Sequence, residues 1–348
     1  MSKVRRARGP GRVNLIGDHT DYNEGLALPM AIGLGADITF TPSDSPLIVV
    51  ESTAYDQRVA IPLGQPGSPH GPASDLATRE PAWSRLIAAM IALCRPPFGG
   101  TIHIQSTVPA GSGLSSSAAV AVALAEVLTS RREAVEVARL CQEAEHLAGV
   151  PVGIMDPLIC AGGREGHALL IDFSTLATQE VALPSELEVI VVDSGQPRTL
   201  GASGYATRVA ECRSAARVIG PLGLASEESL SSLVDPLLRK RARHVITESR
   251  RTQECAVALG EGRVVEAGAL MVESHLSLAH DFEVSTDRLD GLVEALVGRP
   301  GVLGARMTGA GFGGAVVALT RPGALDLSTI PEAAWRVEAV DGTVAVRR

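Results

Sequence analysis

Lysine is almost missing from this chain: among 348 residues only Lys3 and Lys240 are lysine. Neither stands in a Gly-Lys-Ser/Thr run, which excludes a Walker A loop. An excess of positive charge is missing too. The formal net charge of −8 argues against a general nucleic-acid binder, because phosphate backbones require a basic surface. The one basic cluster, Arg239-Lys240-Arg241-Ala242-Arg243, reads as a solvated helix face. Cysteine is sparse: residues 94, 141, 160, 212 and 255 are scattered, odd in number and free of Cys-x-x-Cys spacing. Neither a disulfide framework nor a zinc site is expected, but reduced thiols in a cytoplasmic protein. No apolar run approaches the ~18 residues of a membrane helix; the best, Ala118 to Leu128, is interrupted by Glu126. The N-terminus is Arg-rich and lacks a signal-peptide apolar region, so a soluble intracellular protein is expected.

What is present is ordinary globular material, 45% hydrophobic and 20% charged, with a length that suggests roughly two domains at ~150 residues each. Patterning predicts strands over 12–16, 36–41, 47–61, 100–108, 168–173, 187–193, 301–306, 314–320 and 335–347. Helices are expected near 82–94, 116–129, 132–148, 203–219, 226–234, 236–259, 263–277 and 286–297. Gly64 to Pro81 reads as an exposed loop. Without regular βαβ alternation, the fold class is α+β, with a junction near 165–180.

Four segments carry polar chemistry. Pro109-Ala110-Gly111-Ser112-Gly113-Leu114-Ser115-Ser116-Ser117-Ala118 is a small-residue loop feeding a helix, where unpaired N–H groups and the helix dipole favour an anion; a plain turn is the alternative. Arg12 with Asp18-His19-Thr20-Asp21-Tyr22-Asn23 could hold a polyhydroxylated ligand or form a capped polar turn. A metal site there lacks supporting ligands. Asp156, in Gly153-Ile154-Met155-Asp156-Pro157, is either catalytic or a helix N-cap, and Pro157 favours the cap. Glu145 could complete a Mg²⁺ site with a loop serine, although its position alone suggests an exposed helical residue. The run Met307-Thr308-Gly309-Ala310-Gly311-Phe312-Gly313-Gly314 permits close backbone approach to a ligand or to another loop.

Taken together, these segments resemble the galactokinase family of the GHMP kinase superfamily. The stretch Gly11 to Asn23 is similar to the family signature, Pro109 to Ala119 to the superfamily ATP loop, and Met307 to Gly314 to its third motif. The likeness continues through Gly153–Asp156, Gly163–Ala168, Arg241–Val245 and Glu273–His275. The resemblance implies a two-domain α+β GHMP-kinase fold, residues 1–170 and 171–348, with the active site in the interdomain cleft. It implies transfer of the ATP γ-phosphoryl group to the anomeric hydroxyl of a sugar, with ATP and Mg²⁺ bound. By residue match, Asp156 orients or deprotonates the hydroxyl and Arg12 stabilises charge near the phosphoryl group. Asp18, His19, Asp21, Gly153 and Tyr205 match galactose-binding positions. Ser117 and Glu145 match metal positions, and Trp83 a position near the adenine. Pro109, Gly111, Ser112, Gly113, Leu114, Ser115, Ser116, Ser117 and Ala118 match the ATP loop. The implied partner is a small sugar bound by a monomer, with no nucleic acid or membrane.

Three departures bear on the sugar. Asp18 stands where the family carries Glu, Pro157 replaces a Gln, and Gln196 to Gly201 lacks the family's Arg-His pair. They leave open a C1 kinase for L-arabinose, galacturonate or N-acetylgalactosamine, or a non-catalytic sugar sensor.

Overall fold

The computed structural model describes residues 3–63, 76–109, 111–129, 133–150, 152–196 and 201–345. Strands β1 (Arg5–Asn14), β3 (Pro29–Ser43), β4 (Leu47–Ser52), β5 (Tyr55–Pro62) and β6 (Gly99–Ser106) form a sheet with the short β13 (Val344–Ala345), in the order β13-β1-β3-β6-β4-β5. All its pairings are antiparallel except β4 with β6. A second sheet, β10-β11-β9-β12, is built from β9 (Glu188–Asp193), β10 (Val302–Thr308), β11 (Ala315–Thr320) and β12 (Ala334–Val337). The third joins β2 (Leu26–Ala27) to β7 (His167–Asp172) and β8 (Ala177–Ala182).

Four helices serve the first sheet: α1 (Arg85–Cys94), α2 (Ser116–Leu128), α3 (Ala134–Leu147) and α4 (Met155–Gly162). Helix α2 is apolar nearly all round, its sequence SSAAVAVALAEVL leaving mainly alanines and valines to bury, as a helix enclosed on every side requires. Its small side chains let it lie directly on β1: a Cβ built on Gly9 would stand 1.9 Å from the Ala119 carbonyl oxygen. This contact sets β1, and with it Arg12, against the start of α2. Among the described residues the further α-helices are α5 (Gly201–Ile219), α6 (Pro236–Gly260), α7 (Val264–Ser277) and α8 (Asp287–Val297). Helix α6 starts cleanly, Asp235 accepting from the Leu237 N–H with Pro236 in the first turn, the preferred beginning of a helix.

The structure departs from expectation in several places. Strand β8 went unforeseen because Val181 is its one buried side chain, too little to produce an alternating pattern. The expected strand 335–347 divides into β12 and β13, the latter returning to the edge of the first sheet. The segment 226–234 forms a 3-10 helix, Glu227–Ser232, rather than an α-helix. The basic cluster is not uniformly solvated: Arg241 is 1% exposed. Its guanidinium pairs with Glu211 at 2.7 Å and Glu283 at 2.8 Å and donates to the Asp281 carbonyl, which binds α5 and α6 to the segment after α7. Residues 64–75 of the expected loop lie outside the described residues.

Replacing Gly9 by Ala forces β1 away from α2. We expect a stability loss of roughly 1–3 kcal/mol in denaturant titration; an unchanged midpoint would show that the strand–helix contact is not tight.

Candidate active site

The loop between β6 and α2 is shaped by residues with left-handed backbone. Gly111 and Gly113 have φ of 79° and 78°, and Ser115 follows at 60°. They turn the chain so that α2 begins at Ser116 with no side chain capping its first N–H groups. Those donors, at the positive end of the helix dipole, are left for an anion. The loop serines divide in role. Ser112 is fully buried and donates to the Pro109 carbonyl at 2.8 Å, so it shapes the loop together with the buried Leu114 and Ala118. The Ser115 hydroxyl donates to Asp156 and Ser117 hydrogen-bonds Glu145, which leaves the half-buried Ser116 hydroxyl for a ligand.

Arg12, 4% exposed on β1, reaches Asp156 with two parallel hydrogen bonds, Nε to Oδ1 at 2.7 Å and Nη2 to Oδ2 at 2.5 Å. Its remaining nitrogen, Nη1, donates to the Gly113 carbonyl at 2.5 Å. A bidentate guanidinium–carboxylate pair fixes direction as well as distance. Burial works against the Arg12 charge, but Asp156 outweighs it and the guanidinium pKa rises. Helix α4 starts after Ile154, so Asp156 lies in its first turn and is not its N-cap. The N-cap reading fails because the carboxylate faces Arg12 and Ser115 instead of the helix's own N–H groups.

The polar turn after β1 supplies the opposite wall. Asp21 begins a 3-10 helix, Asp21–Asn23, and its carboxylate rests on Gly153, where a Cβ would meet Oδ2 at 1.5 Å. Glycine is required at 153 for that approach. Burial, followed by the charges of Asp156 and Asp18, raises the Asp21 pKa to about 7. His19 (φ 64°) is 5% exposed, and its Nδ1 lies 2.9 Å from the Tyr22 hydroxyl. Burial and the neighbouring His244 push its pKa down to about 3, so the ring is neutral at pH 7. Its Nε2 has no well-aligned partner. Tyr205, on α5, packs 5.9 Å from His19 and 5.4 Å from Tyr22 between ring centroids. Burial and the charges of Asp21 and Asp156 push its phenol well up, which keeps the O–H as a donor.

Glu145 is buried on α3, at 7% exposed, and not on the helix's solvent face as its position alone suggested. Burial raises its pKa, opposed by a hydrogen bond from Ser117, and no salt bridge reaches it among the described residues. A buried carboxylate and a hydroxyl beside an anion-binding loop fit Mg²⁺, which takes few protein oxygens and completes its shell with phosphate and water. The described residues hold no cluster of three or more His, Cys, Asp or Glu suited to a metal. Trp83 lies flat on Tyr55, with centroids 4.8 Å apart and planes within 6°; among the described residues no other ring contact links it to the site. Of the Gln196–Gly201 segment, residues 197–200 lie outside the described residues.

Asp18, matched to a sugar-binding position, is 2% exposed. Its Oδ1 accepts from the Gly309 N–H at 3.1 Å and its Oδ2 stands 2.7 Å from Arg306 Nη2. Arg306 and Glu248, both fully buried, escaped sequence reasoning. A lone arginine among the apolar residues of β10 was the available signal for the first.

The family model described as the galactokinase galactose-binding signature matches residues 2–42, that of the GHMP kinases N terminal domain residues 83–164, and that of the GHMP kinases C terminal residues 255–327. Galactokinase from Canis lupus familiaris is 42% identical, covering 89% of this chain and 82% of its own length. Galactokinase from Homo sapiens is 40% identical, covering 97% and 87%. The chain belongs to the galactokinase family. This kinase superposes on the crystal structure of Lactococcus lactis galactokinase complexed with galactose with a TM-score of 0.89 and 28% identity, over 99% of this chain and 96% of that one. Mevalonate kinase from Methanococcus jannaschii, at 17% identity and TM-score 0.67 over 98% and 99%, shares the fold. The kinase therefore has the two-domain α+β GHMP fold with its site in the cleft between domains, and it is a phosphotransferase. Among its described residues no helix is long and apolar enough to cross a membrane.

Folding raises the Asp21 pKa from 3.8 to about 7, so the protonated carboxyl stabilises the kinase below pH 3.8 and that contribution is lost as pH rises through 7. Asp21→Asn lacks this titration. We expect the melting temperature of the wild type to fall relative to Asp21→Asn between pH 4 and 7; a constant difference would contradict the assignment.

Proposed function

We propose that the kinase transfers the γ-phosphoryl group of ATP to the anomeric hydroxyl of D-galactose, giving galactose 1-phosphate and ADP. The observation that carries this reading is the Arg12–Asp156 pair held beside the open N-terminus of α2, with Asp21 and Tyr205 alongside. ATP phosphates bind at Gly111, Gly113 and the N–H groups of Ser115 to Ser117, shaped by Pro109, Ser112, Leu114 and Ala118. Trp83, steadied by Tyr55, stands near the adenine. Galactose sits against His19, Asp21, Gly153 and Tyr205, with the buried Asp18 adjoining them in the loop.

In the reaction the O1–H bond breaks, an O1–Pγ bond forms and the bond from Pγ to the β-phosphate oxygen breaks. Asp156 accepts a hydrogen bond from O1–H and takes the proton as the new bond forms. Arg12 and Ser115 orient its carboxylate, and Arg12 adds positive charge facing the transferring group. In a loose phosphoryl-transfer transition state, such positioning and electrostatics supply most of the rate. Ser117 and Glu145 would hold Mg²⁺, which supplies charge neutralisation at the phosphate oxygens. A monomeric kinase is part of the same proposal. Its free cysteines suit a cytoplasmic enzyme. Arg12, Asp156, Ser117 and Glu145 are all present, which favours an enzyme over a sensor, and no feature favours the alternative sugars.

Asp156→Asn is expected to lower kcat on D-galactose by ~10²–10⁴ while galactose binding, measured by calorimetry, persists; unchanged turnover refutes the role. Chelation of divalent ions is expected to abolish turnover, and Glu145→Gln to raise the Mg²⁺ concentration at half-maximal rate about tenfold. An unaltered Mg²⁺ titration would remove Glu145 from the metal site.

A further inference from the structure

A carboxylate placed to hold a sugar hydroxyl needs an accessible oxygen, and Asp18 is 2% exposed. Oδ1 is held by the Gly309 N–H. Oδ2 lies 2.7 Å from Arg306 Nη2, an ion pair too bent for a good hydrogen bond. Arg306 is fixed from the other side as well. Its Nε donates to Ser274 Oγ at 3.0 Å, its Nη1 to the Leu15 carbonyl at 3.3 Å, and Glu248 Oε1 stands 3.7 Å from Nη2. Glu248 in turn accepts from the Gly17 N–H at 3.0 Å and from Ser274 at 2.5 Å, and pairs with Arg251 at 2.8 Å. The residues on both sides of the Gly17–Asp18 peptide are thus tied to one buried guanidinium.

The far end of this arrangement reaches the sugar wall. Gly309 opens the glycine-rich turn in which Phe312 (φ 59°) donates its N–H to the Val284 carbonyl at 2.8 Å. The Phe312 ring lies so close to α5 that a Cβ on Gly204 would meet it at 2.6 Å. Gly204 immediately precedes Tyr205, whose ring faces His19.

We propose that Asp18 is a positioning residue that clamps Arg306 and the Gly309 N–H, so joining the sugar loop to the glycine-rich turn and through Phe312 to Tyr205, and that it makes no direct contact with the sugar. This rests on the galactokinase reading for the identity of the sugar. A direct ligand contributes only through the hydroxyl it touches, whereas a clamp sets the geometry of the whole wall and contributes to every sugar equally.

The test uses Asp18→Asn with D-galactose and its 2-, 3-, 4- and 6-deoxy analogues. The expected result is a rise in sugar KM of roughly tenfold to a hundredfold, by the same factor for every analogue, with KM for ATP unchanged. A penalty that vanishes for one deoxy sugar identifies a direct contact and overturns the proposal. Amide hydrogen exchange without sugar reads the clamp independently. Exchange over 309–314 and 204–208 is expected to quicken in Asp18→Asn, and unchanged exchange refutes the clamp even if no hexose is a substrate. Should that variant not fold, a crystal structure of the wild type with galactose decides. Asp18 is expected to remain on Arg306 and Gly309; a sugar oxygen within ~3.2 Å of its carboxylate overturns the proposal.

Discussion

The pair between Arg12 and Asp156 is the interaction on which the site depends. Arg12 arrives from β1, Asp156 from the first turn of α4, and the third guanidinium nitrogen ends on the carbonyl of Gly113 in the phosphate loop. One side chain thereby sets three separate stretches of chain in register. Such a buried guanidinium is tolerable only when its donors are satisfied, and the close seating of β1 on α2 at Gly9 brings the partners into reach. The uncapped start of α2 and the placement of the Asp156 carboxylate proposed to face the acceptor hydroxyl are consequences of the same packing.

The other half of the cleft follows a different rule. There the glycine-rich turn, the sugar loop, α6 and α7 meet around Arg306, with Asp18, Glu248 and Ser274 facing it. Burial alone would raise the Glu248 pKa, yet Arg251, His244 and Arg306 pull it down to about 2, so it remains ionised throughout the working range. Removing one member of such a cluster leaves a buried charge without its partner, a larger cost than the net worth of the pair. The ring cluster of His19, Tyr22 and Tyr205 adjoins this ionic base, with Phe282 packed 4.6 Å from His19 as its apolar filler.

Much of this was legible from residues alone. A glycine–serine loop followed by an alanine-rich helix reads as an anion site or a plain turn, and the structure shows α2 starting without a side-chain cap, a feature that depends only on neighbours in sequence. The polar run from Asp18 to Asn23 reads as a ligand loop or a capped polar turn, and its buried Asp18, His19 and Asn23 could not be foreseen from spacing. Glu145 was misjudged because helical position does not reveal burial, which the packing of α3 decides. Arg241 looked like one of several surface cations until α5 brought Glu211 to it. Arg306 and Glu248 were invisible because the contacts that join them to the loop after β1 span 291 and 231 residues, where spacing carries no information. Asp156 was pulled toward a capping role by Pro157, a preference that holds locally; the tertiary pairing with Arg12 overrides it.

The most direct measurement is a double-mutant cycle on single-turnover phosphoryl transfer with Arg12→Met, Asp156→Asn and the combined variant. If the pair acts as one unit, the double variant is no slower than the slower single one, because either change already breaks the unit. Rate losses that multiply would mean that Arg12 and Asp156 act independently, and would contradict the account.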